Sequence, residues 1–341
     1  MRFGRVAVRD AVGAVSAHTI RAGETVMRKG RVVAAEDAER LARAGVETLV
    51  AARLEPGDVG EDEAAGRLAA ALAGEGLTVE KPFTGRANLF AATPGILVVD
   101  EAVIRAVNGV DEAVTVATLP AYRPVVAGEM AATVKIIPYA VPGAVLDRAL
   151  AASERALRVA PYRRTRIAVL STLLPGLKES VVAKTLDVLA RRLRPAGAEI
   201  VHEARVAHEA DALAAALPRA AAEADLVVVF GASAIADRAD VIPAAIGMAG
   251  GRVEHFGMPV DPGNLLLIGS LGGVPLVGAP GCARSPKENG FDWVLQRLLA
   301  NLPVTRADIV ALGVGGLLME IVSRPQPRGG EDSADEEAGG A

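Results

Sequence analysis

A chain of 341 residues, 51% of them hydrophobic, is long enough for two domains and too apolar to be mainly disordered. Its single cysteine excludes a disulfide framework and a cysteine-built zinc site. A net charge of −4 argues against a nucleic-acid surface, and aromatics at 3% leave the cores to Ala, Val and Leu.

Residues 1–56 read as a β-rich N-terminal region. RVAVRD, GETVMRKG and ETLVAARL are strand-like, and AAEDAERLARAG between them is a short helix closed by Gly45. Residues 57–160 read as an α/β region. Glu61, Asp62 and Glu63 open an Ala/Leu helix, where a solvated first turn and a metal-ligating cluster are both open readings. GILVVD, AVTVATL and ATVKIIPYAV are strands, and EAVIRAVNGV is a helix stopping at Asn108-Gly109. Lys135 stands mid-strand, where its charge needs a partner, a phosphate or an exit to solvent.

From Thr165 the pattern becomes regular. RIAVLS, AEIVHEARV and DLVVVF alternate with helical stretches, one of which places Val182, Leu186, Leu189 and Leu193 on a stripe. LLLIGSLGGVPLVGAPG reads as a hairpin turning at Gly272-Gly273, and GFDWVLQRLLANL as a closing helix. The expected fold class is therefore α/β: residues 161–323 form a three-layer α/β/α domain with a mainly parallel sheet, preceded by an N-terminal α+β region. Residues 324–341 are expected to be a disordered acidic tail, since 329–341 hold five acids and no base. The chain shows no apolar leader and no run of about 18 apolar residues, so no membrane segment and a cytoplasmic location are expected.

Ligands of an open parallel sheet bind beyond the carboxyl ends of its strands. Two strands run into suitable loops. After DLVVVF come Gly231, Ala232, Ser233, Ala234, Ile235, Ala236, Asp237, Arg238, Ala239 and Asp240. Small residues there let a phosphate approach backbone N–H groups, while Ser233 adds a hydroxyl, Arg238 a cation, and Asp237 and Asp240 carboxylates. An ordinary strand-to-helix turn fits the same residues. After VPLVG come Ala279, Pro280, Gly281, Cys282, Ala283, Arg284, Ser285, Pro286 and Lys287, where Arg284 offers a two-pronged phosphate contact and Lys287 a point charge. Cys282 reads as a small filler residue, and His202 and His208 as surface residues, six apart and without a zinc spacing.

FGASAIADRADVIPAA, MPVDPGN and GAPG, in this order on a βαβ pattern, resemble the molybdopterin-binding domain of molybdenum-cofactor biosynthesis proteins. That family includes molybdopterin adenylyltransferase and molybdopterin molybdotransferase. The resemblance covers about residues 165–302, and GETVMRKGRVV through LEPGDVG resembles a linker region of molybdotransferases. It implies a divergent molybdotransferase that binds adenylylated molybdopterin, inserts molybdate and releases AMP. In that reading Asp237 and Asp240 serve as catalytic carboxylates holding Mg²⁺. Gly231, Ser233, Arg238, Gly263, Pro280, Gly281, Arg284, Ser285 and Lys287 then contact the pterin and its phosphates. Ala232, Ala236, Asp261 and Cys282 replace a glycine, a glycine, a lysine and an asparagine of the family pattern, with Lys178 and Lys184 as substitute cations. The lost glycines at Ala232 and Ala236 and the change at Asp261 favour the alternative reading, a non-catalytic carrier of the cofactor. A nucleotide pyrophosphatase of the same fold is a third reading. Implied partners are molybdopterin or its nucleotide adduct, a cofactor nucleotidyltransferase or molybdoenzyme, and further copies of the chain.

Overall fold

The computed structural model describes residues 1–318, so the expected acidic tail lies outside the described residues. The chain divides into two compact units. One comprises residues 1–163 with 300–302, the other residues 164–299 with the segment that begins at 303.

The first unit is built from short antiparallel sheets. Strand Thr48–Arg53 pairs with Arg2–Ala7 on one side and Val15–Ser16 on the other. Helix Ala35–Arg43 packs Leu41 and Ala38 into this sheet's core. A four-stranded sheet follows in the order Val114–Thr118, Met130–Ile136, Arg86–Ala91, Leu77–Val79. Its apolar face is covered by helix Glu61–Leu72, whose Ala64, Ala65, Leu68, Ala69 and Leu72 are all buried. The stretch ATVKIIPYAV, expected as one strand, is two: the second covers Ala140–Pro142 and pairs with Asp58–Gly60. Pro138, which has no N–H to give to a ladder, lies in the bend between them.

Lys135 finds its partners inside this unit. Its Nζ lies 3.3 Å from Glu61 Oε2 and donates to the Thr84 carbonyl at 2.8 Å, while Asp62 accepts from the Gly85 N–H at 2.6 Å. The acidic start of the 61–72 helix thus holds the 84–85 turn and the lysine, and the lysine's charge is met by a carboxylate.

The second unit has one six-stranded sheet. Its strands are β1 (Arg166–Leu173), β2 (Glu199–Ala207), β3 (Leu226–Phe230), β4 (Arg252–Phe256), β5 (Leu267–Leu271) and β6 (Val274–Ala279), in the spatial order β2-β1-β3-β6-β5-β4. The pairings β2–β1, β1–β3 and β3–β6 are parallel, whereas β5 runs antiparallel to both neighbours. Continuous apolar runs make β1 and β3 central: every residue of Ile167–Leu170 and Leu226–Phe230 is buried, as strands covered on both faces require. The hairpin β5–β6 turns at Gly272 (φ 58°) and Gly273 (φ 85°), two left-handed positions that the twist of a two-residue hairpin demands.

Helices α1 (Glu179–Leu193), α2 (Ala210–Glu223), α3 (Val241–Met248) and α4 (Gly290–Leu299) cover the sheet. Leu213 and Leu217 of α2 and Ile242 and Ile246 of α3 pack with Ala168, Leu170, Val227 and Val229 in one core. Side chains alternate along a strand, so Val228 and Phe230 face the other way. There the Phe230 ring lies 6.5 Å from the Phe291 ring of α4, and Arg192 of α1 sits over Phe291. The buried stripe of α1 is Val182, Thr185, Val188, Leu189 and Leu193; Leu186, expected on it, is only half-buried. Both edge strands carry an ion pair between residues two apart, Glu203–Arg205 on β2 and Arg252–Glu254 on β4, and each has a register shift against its neighbour.

Candidate functional site

Register puts the carboxyl ends of the parallel strands level. Leu173 of β1 pairs with Ala207 of β2, Ser171 with Phe230 of β3, and Phe230 with Ala279 of β6. The loops 174–178, 208–209, 231–240 and 280–289 therefore all leave from one rim of the sheet, where such folds bind ligands.

Loop 231–240 and loop 280–289 meet. Arg284 Nη2 donates to the Gly231 carbonyl at 2.8 Å, and its guanidinium lies 5.5 Å from the centre of the Phe230 ring. Burial lowers the guanidinium's pKa from its usual value. The fork expected to grip a phosphate is therefore turned inward and ties one loop to the other. Gly231 is confined by the same packing: an added Cβ would come within 2.7 Å of the Ser233 carbonyl oxygen.

Ser233 stands exposed at the tip. Its Oγ lies 2.9 Å from His208 Nε2, and His208 Nδ1 lies 2.8 Å from Thr172 Oγ1, which accepts the Ala232 N–H at 2.9 Å. Three strand ends, β1, β2 and β3, thus meet in one chain of hydrogen bonds. His208, read from sequence as a surface residue, is the middle member. His202 is 10% exposed in its side chain and pairs with Glu223 at 2.8 Å. Neither histidine belongs to a metal cluster, and among the described residues no group of three His, Cys, Asp or Glu gathers as one.

The two expected carboxylates are held by the backbone. Asp240 caps α3, its Oδ1 accepting from Val241 N at 2.7 Å and its Oδ2 from Ala236 N at 3.0 Å. Asp237 Oδ1 accepts from Ala239 N at 2.7 Å. These bonds shape the turn, and Asp237 remains exposed. Among the described residues no third His, Cys, Asp or Glu stands beside these carboxylates to complete a protein-held Mg²⁺ site. Arg238 is exposed, and with Arg306 it lies near enough to His255 to help burial, the larger cause, hold that imidazole below its ordinary pKa.

The 280–289 loop is organised from below by Arg192. Its guanidinium donates to Asp292 Oδ1 (2.5 Å) and to the carbonyls of Ala283 (2.9 Å), Ser285 (2.7 Å) and Lys287 (3.2 Å). Pro280 is buried and its carbonyl accepts the Ala283 N–H; Gly281 begins a single 3-10 turn ending at Arg284. Ser285 Oγ accepts from Lys287 N, and the Lys287 side chain is exposed. Burial raises the Cys282 thiol's pKa. Gly263 packs against the start of α4, where an added Cβ would meet Met258 Cε at 2.7 Å and Gly290 Cα at 3.0 Å. Among the expected residues, those of the two loops come together on the rim, while Gly263 serves close packing.

This is an α/β domain whose strand-end loops carry an exposed hydroxyl, Ser233, and exposed cations, Arg238 and Lys287, on one rim. Residues 167–301 match the family model described as "Probable molybdopterin binding domain". Residues 5–53 match a "Domain of unknown function (DUF8806)". Among solved structures, the molybdopterin biosynthesis MoeA protein from Pyrococcus horikosii is similar at 14% identity, over 88% of this chain and 75% of that one, with a TM-score of 0.32. Molybdenum cofactor biosynthesis protein B is similar at 14% identity, over 41% of this chain and 96% of that one, with a TM-score of 0.29. A molybdenum cofactor biosynthesis protein from Pyrococcus furiosus is similar at 13% identity, over 91% and 65%, with a TM-score of 0.25. No curated protein matches the chain. No helix of the described residues is long and apolar enough to cross a membrane.

Proposed function

We propose that the second unit binds molybdopterin, through its phosphate or nucleotide end, on the rim formed by loops 231–240 and 280–289. The observation that carries this reading is the union of the two loops by the Arg284–Gly231 hydrogen bond, which leaves the Ser233 hydroxyl exposed between strand ends. Ser233 and the loop amides contact the phosphate in this reading, Arg238 and Lys287 supply charge at the margin, and Arg284 keeps the loops in place. Partners are a cofactor nucleotidyltransferase or a molybdoenzyme, and the chain acts as a homo-oligomer.

Two roles share this site: holding the cofactor, and inserting molybdate with release of AMP. The amide bonds to Asp237 and Asp240 favour holding, since carboxylates committed to a turn and a helix cap are poorly placed for Mg²⁺. Native mass spectrometry of the full chain purified from a cofactor-producing host tests the binding: a co-purifying pterin supports it, and its absence together with no calorimetric binding of AMP refutes it. An AMP-release assay with adenylylated molybdopterin and molybdate separates the roles. Release above background makes the protein a transferase.

A further inference from the structure

We infer that His208 is a positioning residue: Thr172 fixes it as the Nε2–H tautomer, and it in turn points the Ser233 hydroxyl proton outward, toward an oxyanion of a bound ligand. The inference rests on the reading of the strand-end rim as a phosphate site.

Thr172 is 1% exposed, and its Oγ1 accepts the Ala232 N–H. Its own proton needs an acceptor, and among the described residues the only other hydrogen bond of Thr172 Oγ1 is to His208 Nδ1, at 2.8 Å. A buried hydroxyl without an acceptor is costly, so Thr172 donates and Nδ1 accepts. A neutral imidazole carries one N–H, which is then on Nε2. Nε2 donates to Ser233 Oγ across 2.9 Å. One of the two Ser233 lone pairs is thereby used, and its O–H is left to donate to whatever reaches the exposed tip. In the opposite tautomer Nε2 would accept the hydrogen bond of the Ser233 O–H, so the serine would turn only lone pairs to the ligand, which repels an anion. The buried threonine at the end of β1 thus decides the sign of the exposed serine at the end of β3.

His208 itself is held at its backbone, its N–H donating to the Leu173 carbonyl at 2.9 Å, directly before α2. The ring therefore bridges a rigid rim and has a fixed direction.

The tautomer is read by long-range ¹H–¹⁵N correlation spectra of the imidazoles in the ¹⁵N-labelled full chain, which has only four histidines to assign. The neutral His208 ring is expected to show a protonated Nε2 and a bare Nδ1, and Thr172→Val to lose that preference. A protonated Nδ1 in the unaltered protein overturns the inference. A second measurement uses calorimetry with AMP as the probe. His208→Gln, whose amide nitrogen stands where Nε2 does, should bind within about threefold of the unaltered protein, and His208→Ala about tenfold more weakly, the loss of roughly one hydrogen bond to a charged group. Equal losses in the two variants overturn the positioning role. If the unaltered protein binds no AMP, the phosphate site falls and the outward-donor role falls with it. The tautomer spectrum still decides separately whether Thr172 orients the ring.

Discussion

Removing the Arg192 guanidinium tests the claim that one side chain in α1 organises the whole 280–289 loop. The side chain is 9% exposed, and its partner Asp292 11%. Arg192→Ala leaves that carboxylate its bond from the Asn289 N–H, at 2.9 Å, but removes its guanidinium partner, and strips a donor from three carbonyls. Breaking a buried pair by deleting one partner costs about 3–5 kcal/mol. Three carbonyl bonds at roughly 1.5–3 kcal/mol each would sum to more, but bonds made by one group are not additive. Arg192→Lys keeps the charge but offers a single point in place of a fork, so it should lose about half as much. The chain has one tryptophan, Trp293, which lies in α4 and bonds Glu288 at the loop's end, so its fluorescence follows the second unit alone. In urea titrations the Trp293 transition should move down by about 3–5 kcal/mol in Arg192→Ala, with an intermediate shift in Arg192→Lys. A shift below about 1 kcal/mol in Arg192→Ala, the level of an exposed pair, would refute the reasoning.

Two further outcomes concern the first unit. The Asp37 side chain is 2% exposed, and although burial alone would raise its pKa, the Ala34 N–H, Arg40 and Arg31 hold it below the ordinary carboxylate value. A depressed carboxyl stabilises the fold above its unfolded pKa, and that contribution is lost as pH falls through the folded value; circular-dichroism melts should therefore show a steeper fall below about pH 4 in the unaltered protein than in Asp37→Asn. Gly85 has φ +71°, and an added Cβ would collide with Glu61, Lys135 and, at 2.9 Å, the Ile136 carbonyl oxygen. Gly85→Ala should destabilise by about 1–3 kcal/mol in thermal melts, from left-handed strain plus displacement of that ion pair.

Sheet and helices of the second unit are legible in the sequence because their signals are local. RIAVLS and DLVVVF are unbroken apolar runs, Gly272-Gly273 permits only a tight turn, and the helices between show their stripe. Asp240 before an apolar run is likewise a local cap signal, one that the metal reading passed over. His208 is different. Its partners lie 36 and 25 residues away, and they meet only because the parallel register sets the ends of β1, β2 and β3 level. Arg192 looks like any cation on the last turn of an amphipathic helix; what it touches lies 91 to 100 residues on. Arg284 is recognisable as a loop arginine, but nothing next to it in sequence says that Gly231 will absorb its hydrogen bond. Composition and period find elements, whereas tertiary register finds partners.

The charged, shifted edges of the six-stranded sheet bear on how copies of this protein meet at high concentration. An open sheet ends in unpaired N–H and C=O groups, an invitation to add a strand from another molecule and then another. Here both terminal strands place an acid and a base two residues apart on one side, and both break step with their neighbour. A foreign strand would have to desolvate those ions and follow an irregular ladder. Runaway edge-to-edge polymerisation is thereby disfavoured, and the protein can be crowded without its longest sheet seeding fibres.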